Sequence, residues 1–217
     1  MSRIAVSEAV STALLLMIVV GSGIMAERLC HDPGLALLCN ALATGAGLVA
    51  LILTFGPVSG AQMNPVVSLA EAAAGARPWS EVPGRIGAQL GGGVVGVLLA
   101  HGMFGLPWLT LSTHARAGAA QGLSEAIATF GLLATVLGVS RRAPAATPFA
   151  VGAYITSAYW FTSSTSFANP AVTLARALPD SFAGIRPADV PLFMGAQGVG
   201  AALAVALFGW LSPREPA

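Results

Sequence analysis

The chain has 217 residues, of which 55% are hydrophobic and only 9% charged, with a mean hydropathy of +0.78 and a formal net charge of +1. That balance lies far outside the range of soluble globular domains and places the chain in lipid. The 10 basic residues are all arginine and form no cluster, which removes any basis for nucleic-acid binding. Cys30 and Cys39 have no metal-ligand or redox spacing, so neither a metal nor a cofactor is expected.

In chain order, six stretches come near the roughly 20 residues that a hydrocarbon core of about 30 Å requires. They cover 4–26, 35–55, 82–103, 121–139, 148–166 and 188–211. The first follows Met1-Ser2-Arg3, and no small-residue cleavage site separates it from a soluble domain, so it reads as a span and not as a leader. Glycine, 26 in all and concentrated in runs such as Gly91-Gly92-Gly93, allows helix backbones to approach closely in lipid. Polar residues gather in the connections 27–34, 77–81, 105–118, 140–144 and 179–189. Six crossings would put Arg3, Arg77, Arg85, Arg141, Arg142 and Arg214 on one side and Arg28, Arg116, Arg176 and Arg186 on the other. This mild bias predicts a multi-pass inner (plasma) membrane protein with both termini in the cytoplasm.

Two shorter segments interrupt the pattern: Asn64-Pro65-Val66-Val67-Ser68-Leu69-Ala70 and Asn169-Pro170-Ala171-Val172-Thr173-Leu174-Ala175. Asn at an N-cap offers a side-chain oxygen to an orphan N–H, and Pro at the first helical position has no N–H to lose. Each segment, 64–74 and 169–178, runs about ten residues or roughly 15 Å, half the hydrocarbon thickness. Neither crosses alone. Entering from opposite faces, their N-termini would meet near the midplane, where non-helical backbone survives only if it is buried in protein or lines a wet cavity.

A repeat accompanies them. Ser7-Glu8-Ala9-Val10-Ser11-Thr12 opens the first span and Ser124-Glu125-Ala126-Ile127-Ala128-Thr129 the fourth. Each half then reads as a span with glutamate, a span, a half-helix and a span, and three crossings per half turn the second copy upside down. The expected architecture is one all-α transmembrane domain over 1–217, an inverted repeat of about 1–106 and 118–217, with six transmembrane helices and two re-entrant half-helices.

These residues resemble the aquaporins, or major intrinsic proteins. The family's first signature, Ser-Gly-Ala-His-x-Asn-Pro-Ala-Val-Thr, is matched by Ser59-Gly60-Ala61-Gln62-Met63-Asn64-Pro65-Val66-Val67-Ser68, with Gln for His and Val for Ala. The second motif is intact at Asn169-Pro170-Ala171. The resemblance implies an aquaporin-like barrel, a homotetramer in the lipid bilayer, and passive conduction of small neutral solutes by a protein that is not an enzyme. It also implies that Glu8 and Glu125 accept hydrogen bonds from the re-entrant loops. Independently, two half-helix N-termini facing one point repel cations, and the Asn64 and Asn169 amides would donate to a passing oxygen.

The departures bear on the solute. Most members carry Arg immediately after the second Asn-Pro-Ala, as part of a selectivity constriction; here that residue is Val172. Ungapped counting puts the other constriction positions on Thr44, Ser157 and Ser166, a set without charge, aromatic ring or histidine. Such a constriction is expected to be wide, with hydroxyls that suit a polyhydroxylated solute, and to leave cation exclusion to the half-helix dipoles alone. Val67 and Val172 in matching places also resemble bacterial aquaglyceroporin-like channels of arsenic-resistance operons, which implies metalloid hydroxides such as arsenite beside glycerol and water. Two rivals stand against this reading. A proton-coupled secondary transporter shares inverted repeats and would use Glu8 and Glu125 as proton relays. An intramembrane serine protease would need Ser22 to meet His31, His101 or His114, which fall in loops or near a span end.

Overall fold

The computed structural model describes residues 2–211; Met1 and residues 212–217, among them the Arg214 of the charge bias, lie outside the described part. Helix α1, Arg3–Leu29, is capped by Ser2, whose hydroxyl accepts from the Ala5 N–H. Asp32 does the same for α2, Pro33–Ser59, with Pro at its start. The chain continues through α3 (Pro65–Ala73), α4 (Val82–Phe104), α5 (Ala119–Arg142), α6 (Thr147–Phe161), α7 (Pro170–Ala175) and α8 (Val190–Leu211). Five segments, containing α1, α2, α4, α5 and α8, are long and apolar enough to cross a bilayer.

The fifth expected span differs. It was expected over 148–166, but α6 ends at Phe161 after 15 residues, roughly 22 Å of helix. Thr162 leaves the helix in an extended conformation, and its hydroxyl turns back to the Ala158 carbonyl at 2.6 Å. The following Ser163-Ser164-Thr165-Ser166 offers hydroxyls that compete for backbone groups, and Thr165 and Ser166 adopt positive φ of 60° and 51°, which no helix accommodates. The half-helices are also shorter than expected, 9 residues in α3 and 6 in α7.

Alternation fixes the faces. α1 and α5 begin on opposite faces, so α3 dips in from the face that carries the N-terminus and α7 from the opposite one. Within each half the first long helix packs on the last, α1 on α4 and α5 on α8, while α2 and α6 meet between the halves. α3 and α7 each touch both α4 and α8, and they touch each other. Leu16, Val20, Val97 and Leu133 are wholly buried between these helices.

Two glycines set the closest backbone-to-backbone approaches. A Cβ on Gly92 would lie 2.2 Å from the Ala9 carbonyl oxygen, and one on Gly200 would lie 2.2 Å from that of Ala126. Backbone meets backbone there, which only glycine permits. Around Gly195, by contrast, an added methyl meets nothing within 4 Å. Gly200→Ala is therefore expected to destabilise the protein by about 1–3 kcal/mol by overpacking, whereas Gly195→Ala should stabilise it by about 0.5–1 kcal/mol through helix propensity. Thermal unfolding of both variants in detergent checks the opposite signs.

Candidate solute pathway

The pathway is built on two buried carboxylates. Glu8 on α1, wholly buried, accepts from the backbone N–H groups of Gln62 at 3.0 Å and Met63 at 2.8 Å and from Gln89 Nε2 on α4 at 2.8 Å. Glu125 on α5 accepts from Phe167 N and Ala168 N, each at 2.9 Å, from Gln197 Nε2 at 2.7 Å and from the Ser164 hydroxyl at 2.6 Å. Arginines support both loops: Arg85 Nη1 donates to the Ser59 carbonyl at 2.6 Å and lies 3.4 Å from Glu8, and Arg116 Nη1 donates to the Ser164 carbonyl at 3.3 Å. Burial lowers the Arg116 guanidinium to about 10, so it stays charged at neutral pH.

These clamps hold strained backbone. Ala61 and Met63 have φ of 46° and 49°, and the matching Ser166 and Ala168 have 51° and 47°. Left-handed conformations at non-glycine residues cost on the order of 1–3 kcal/mol each and persist where the surroundings over-determine them. The Met63 carbonyl accepts from Asn169 Nδ2 at 2.7 Å, and the Ala168 carbonyl accepts from Asn64 Nδ2 at 2.8 Å, so each loop is tied to the other's asparagine. The Asn64 Oδ1 accepts from Val66 N, and the Asn169 Oδ1 from Ala171 N and Val172 N. An amide carries two N–H donors. One of each pair goes to the cross-link; the other has no protein acceptor among the described residues and lies beside the cavity that both asparagines line.

That cavity has a volume of about 570 Å³. It opens near Pro57, Ser140, Pro144 and Thr147 on the terminal face, passes Asn64 and Asn169, and reaches Thr44, Tyr159, Ser166, Val172 and Arg176. Its walls between are apolar, formed by Leu15, Val19, Leu48, Leu132, Val136, Val151 and Ile155. Pro65, Val66, Pro170 and Ala171 are buried in the first turns of α3 and α7 and support the asparagines without lining the cavity, whereas Val67 and Val172 face it in matching places. Near the terminal mouth, Gln62, standing where the family has His, donates to Glu71 and accepts from the Ser68 hydroxyl at 2.6 Å. Glu71 in turn pairs with Arg77 at 2.7 Å.

Two residues correct the expected constriction. Ser157 is exposed on the outer side of α6, and its hydroxyl donates to the Tyr154 carbonyl at 2.7 Å. The stripe of α6 facing the cavity is Pro148, Val151, Ile155 and Tyr159, and a residue two positions before Tyr159 points away from it. Tyr159, whose hydroxyl lies 3.2 Å from that of Thr44, therefore occupies the level assigned to Ser157 and brings an aromatic ring. Arg176 brings a charge: it falls inside the expected half-helix 169–178, where it counts only toward the charge bias, yet it is 2% exposed and lines the cavity. Counting Val172 and Arg176 as i and i+4 on one helix face is the signal that finds it. As for the protease constellation, the Ser22 hydroxyl donates to Ile18 and accepts from Asn40, and His101 Nδ1 lies 2.7 Å from the Pro107 carbonyl. No hydrogen bond joins a serine hydroxyl to a histidine ring among the described residues; His114 meets Ser112 only through its backbone N–H.

Glu125→Gln turns an NH₂ group toward loop N–H donors and leaves at least one of them unpaired, a loss of about 1–3 kcal/mol. Glu8→Gln should behave alike, with lower thermal stability in detergent and solute flux retained by the folded fraction. Tyr159→Phe removes a hydroxyl from the narrow level and is expected to lower the glycerol-to-water flux ratio in vesicles. Ser157→Ala should leave that ratio where it is.

A family model described as "MIP: Major intrinsic protein" matches residues 1–166. Aquaglyceroporin AqpS of Rhizobium meliloti is 51% identical over the whole of this chain and 93% of its own. A probable glycerol uptake facilitator protein of Thermotoga maritima is 30% identical over 64% of this chain and 66% of its own. The X-ray structure of the aquaglyceroporin from Plasmodium falciparum superposes with a TM-score of 0.77 at 19% identity, covering 97% of each chain. With the paired asparagine cross-link, the two clamped re-entrant loops and this shared fold, the chain belongs to the major intrinsic protein family of membrane channels.

Proposed function

We propose that the protein conducts small uncharged hydroxylated solutes, arsenite-type trihydroxides and glycerol, together with water, passively through the cavity lined by Asn64 and Asn169. The carrying observation is the composition of the level of Thr44, Tyr159, Ser166 and Val172. Val172 stands where a filter arginine would project, and hydroxyls of Thr44, Tyr159 and Ser166 surround the space it leaves. A trihydroxide of glycerol size needs room and exchangeable hydrogen bonds; valine in place of arginine favours the first, and the three hydroxyls favour the second. The similarity to proteins named aquaglyceroporin agrees with that solute class. In this reading the chain works as a homotetramer in the inner membrane, with both termini in the cytoplasm and arginine-rich connections on that side.

The proton-coupled alternative has less support. Glu8 and Glu125 are absent from the cavity wall, and both oxygens of each already accept hydrogen bonds from loop backbone and a glutamine. A carboxylate that is fully engaged in holding backbone cannot release and rebind a proton in each cycle without losing the loop.

Swelling of proteoliposomes in water, glycerol and arsenite, measured in parallel and with an imposed proton gradient, tests the reading. Glycerol and arsenite should equilibrate and never accumulate; accumulation driven by the gradient would instead establish the coupled transporter. Val172→Arg is expected to reduce the arsenite-to-water ratio by about tenfold, the change that 1.4 kcal/mol of added barrier gives. An unchanged ratio would remove Val172 from the selectivity level.

A further inference from the structure

The end of the cavity opposite the terminal mouth holds a cation that the absence of arginine at Val172 conceals. Arg176 stacks its guanidinium on Phe167, with its central carbon 3.5 Å from the ring centroid, and its Nε donates to the Ala183 carbonyl. Its terminal nitrogens have no protein partner among the described residues, although the residue is 2% exposed and forms part of the cavity wall. No carboxylate among the described residues forms an ion pair with it; Glu71, Glu8, Glu81 and Asp189 pair with other arginines. The Ser166 hydroxyl, also on the wall, is likewise buried without a partner.

The guanidinium is fixed, which separates it from a surface arginine. Arg116 lies against the same Phe167 ring at 5.1 Å and donates to the carbonyls of Phe182 and Gly184, on either side of the one that Arg176 holds. Ile185 N returns to the Arg176 carbonyl at 3.0 Å. Four bonds thus lock the 182–185 segment and both arginines into one unit. From Val172, Arg176 is four residues on, about 6 Å farther from the midplane along the same helix face.

We propose that Arg176 is the charge-selective residue of the pore: a guanidinium set one helical turn outward from Val172, which excludes cations and offers its free N–H donors to the oxygens of an entering hydroxylated solute. The inference rests on the pore reading above. It resolves a conflict in that reading, because a level wide enough for a trihydroxide otherwise leaves cation exclusion to two short half-helices. With Arg176 displaced outward, the width at Val172 and the charge barrier occupy different levels. A fixed unpaired cation in a low-dielectric wall raises the barrier to another cation steeply.

The test uses full-length protein in proteoliposomes, with potassium leak and glycerol swelling read from the same vesicles. Wild type should swell in glycerol and hold a potassium gradient. Arg176→Gln, which loses donors that face the solute, should swell more slowly in glycerol and leak potassium about tenfold faster than wild type, the ratio that 1.4 kcal/mol of barrier represents. Arg176→Lys, and the double variant Arg176→Gln with Val172→Arg, should restore tightness because each returns a cation to this helix face. A purely structural role for Arg176 predicts no rescue by the double variant. Swelling-competent Arg176→Gln vesicles as tight as wild type, or a double variant that still leaks, would overturn the proposal. Should Arg176→Gln fail to fold, phenylglyoxal, which modifies guanidinium groups, decides instead. It should slow glycerol entry into wild-type vesicles and spare Arg176→Lys, and equal sensitivity of the two would refute the assignment. Wild-type vesicles that do not swell in glycerol would refute the pore reading itself.

Discussion

Everything in this fold hangs on the bonds between a buried carboxylate and the two backbone N–H groups just ahead of each Asn-Pro pair. Non-helical backbone deep in a membrane protein must find its hydrogen-bond partners within the protein. Glu8 and Glu125 supply them at 2.8 to 3.0 Å, and in doing so they hold Met63 and Ala168 in left-handed conformations that neither residue would choose alone. The glutamates are fixed in turn by Gln89 and Gln197, which also reach Ser68 and Thr173 on the half-helices. Helix, loop and half-helix in each repeat thus share one polar node inside an otherwise apolar bundle.

From that node the central geometry follows. Left-handed Met63 and Ala168 direct their carbonyls across to Asn169 and Asn64, so the two repeats are joined by a reciprocal pair of hydrogen bonds from asparagine N–H to backbone carbonyl at the point where α3 and α7 begin. The cap function of each asparagine uses its oxygen, and the cross-link uses one N–H. What remains for a solute is one donor from each side, at the focus of two positive helix ends. An apolar wall elsewhere gives a passing solute few places to rest, which keeps binding weak enough for release.

How far the sequence discloses this differs from residue to residue. The Asn-Pro starts and the two glutamates are legible because cap chemistry is local and because an intramembrane carboxylate must have a partner. The end of α6 is not, since Thr162 to Ser166 are small and only mildly polar, and their tendency to bond backbone is invisible to hydropathy. That single boundary carries the Ser157 error with it: the count assumed no gap around the turn, and a shift of two residues exchanges an outward serine for the inward Tyr159. Arg176 escapes for another reason. Inside the expected half-helix 169–178 it counts only toward the charge bias, and its place on the cavity wall follows from the chain beyond α7, which folds back and buries it.

The inverted repeat is closely kept in its backbone supports and broken in its charges. Arg85 and Arg116 hold equivalent carbonyls, of Ser59 and Ser164, yet they reach them from different elements: Arg85 from α4, and Arg116 from the connection before α5. Arg85 is neutralised by Glu8 and Glu81, whereas Arg116 forms no ion pair among the described residues. At the terminal mouth, Glu71 and Arg77 cancel; at the other end, Arg176 forms no ion pair among the described residues. A symmetric pore would present the same field to a solute from either side. Here the arginine of the cavity wall, Arg176, lies at the end away from the chain termini, so the two ends of the cavity differ electrostatically while the loops behind them remain related by the repeat, and selectivity can change through charge placement without disturbing the clamps that hold the path open.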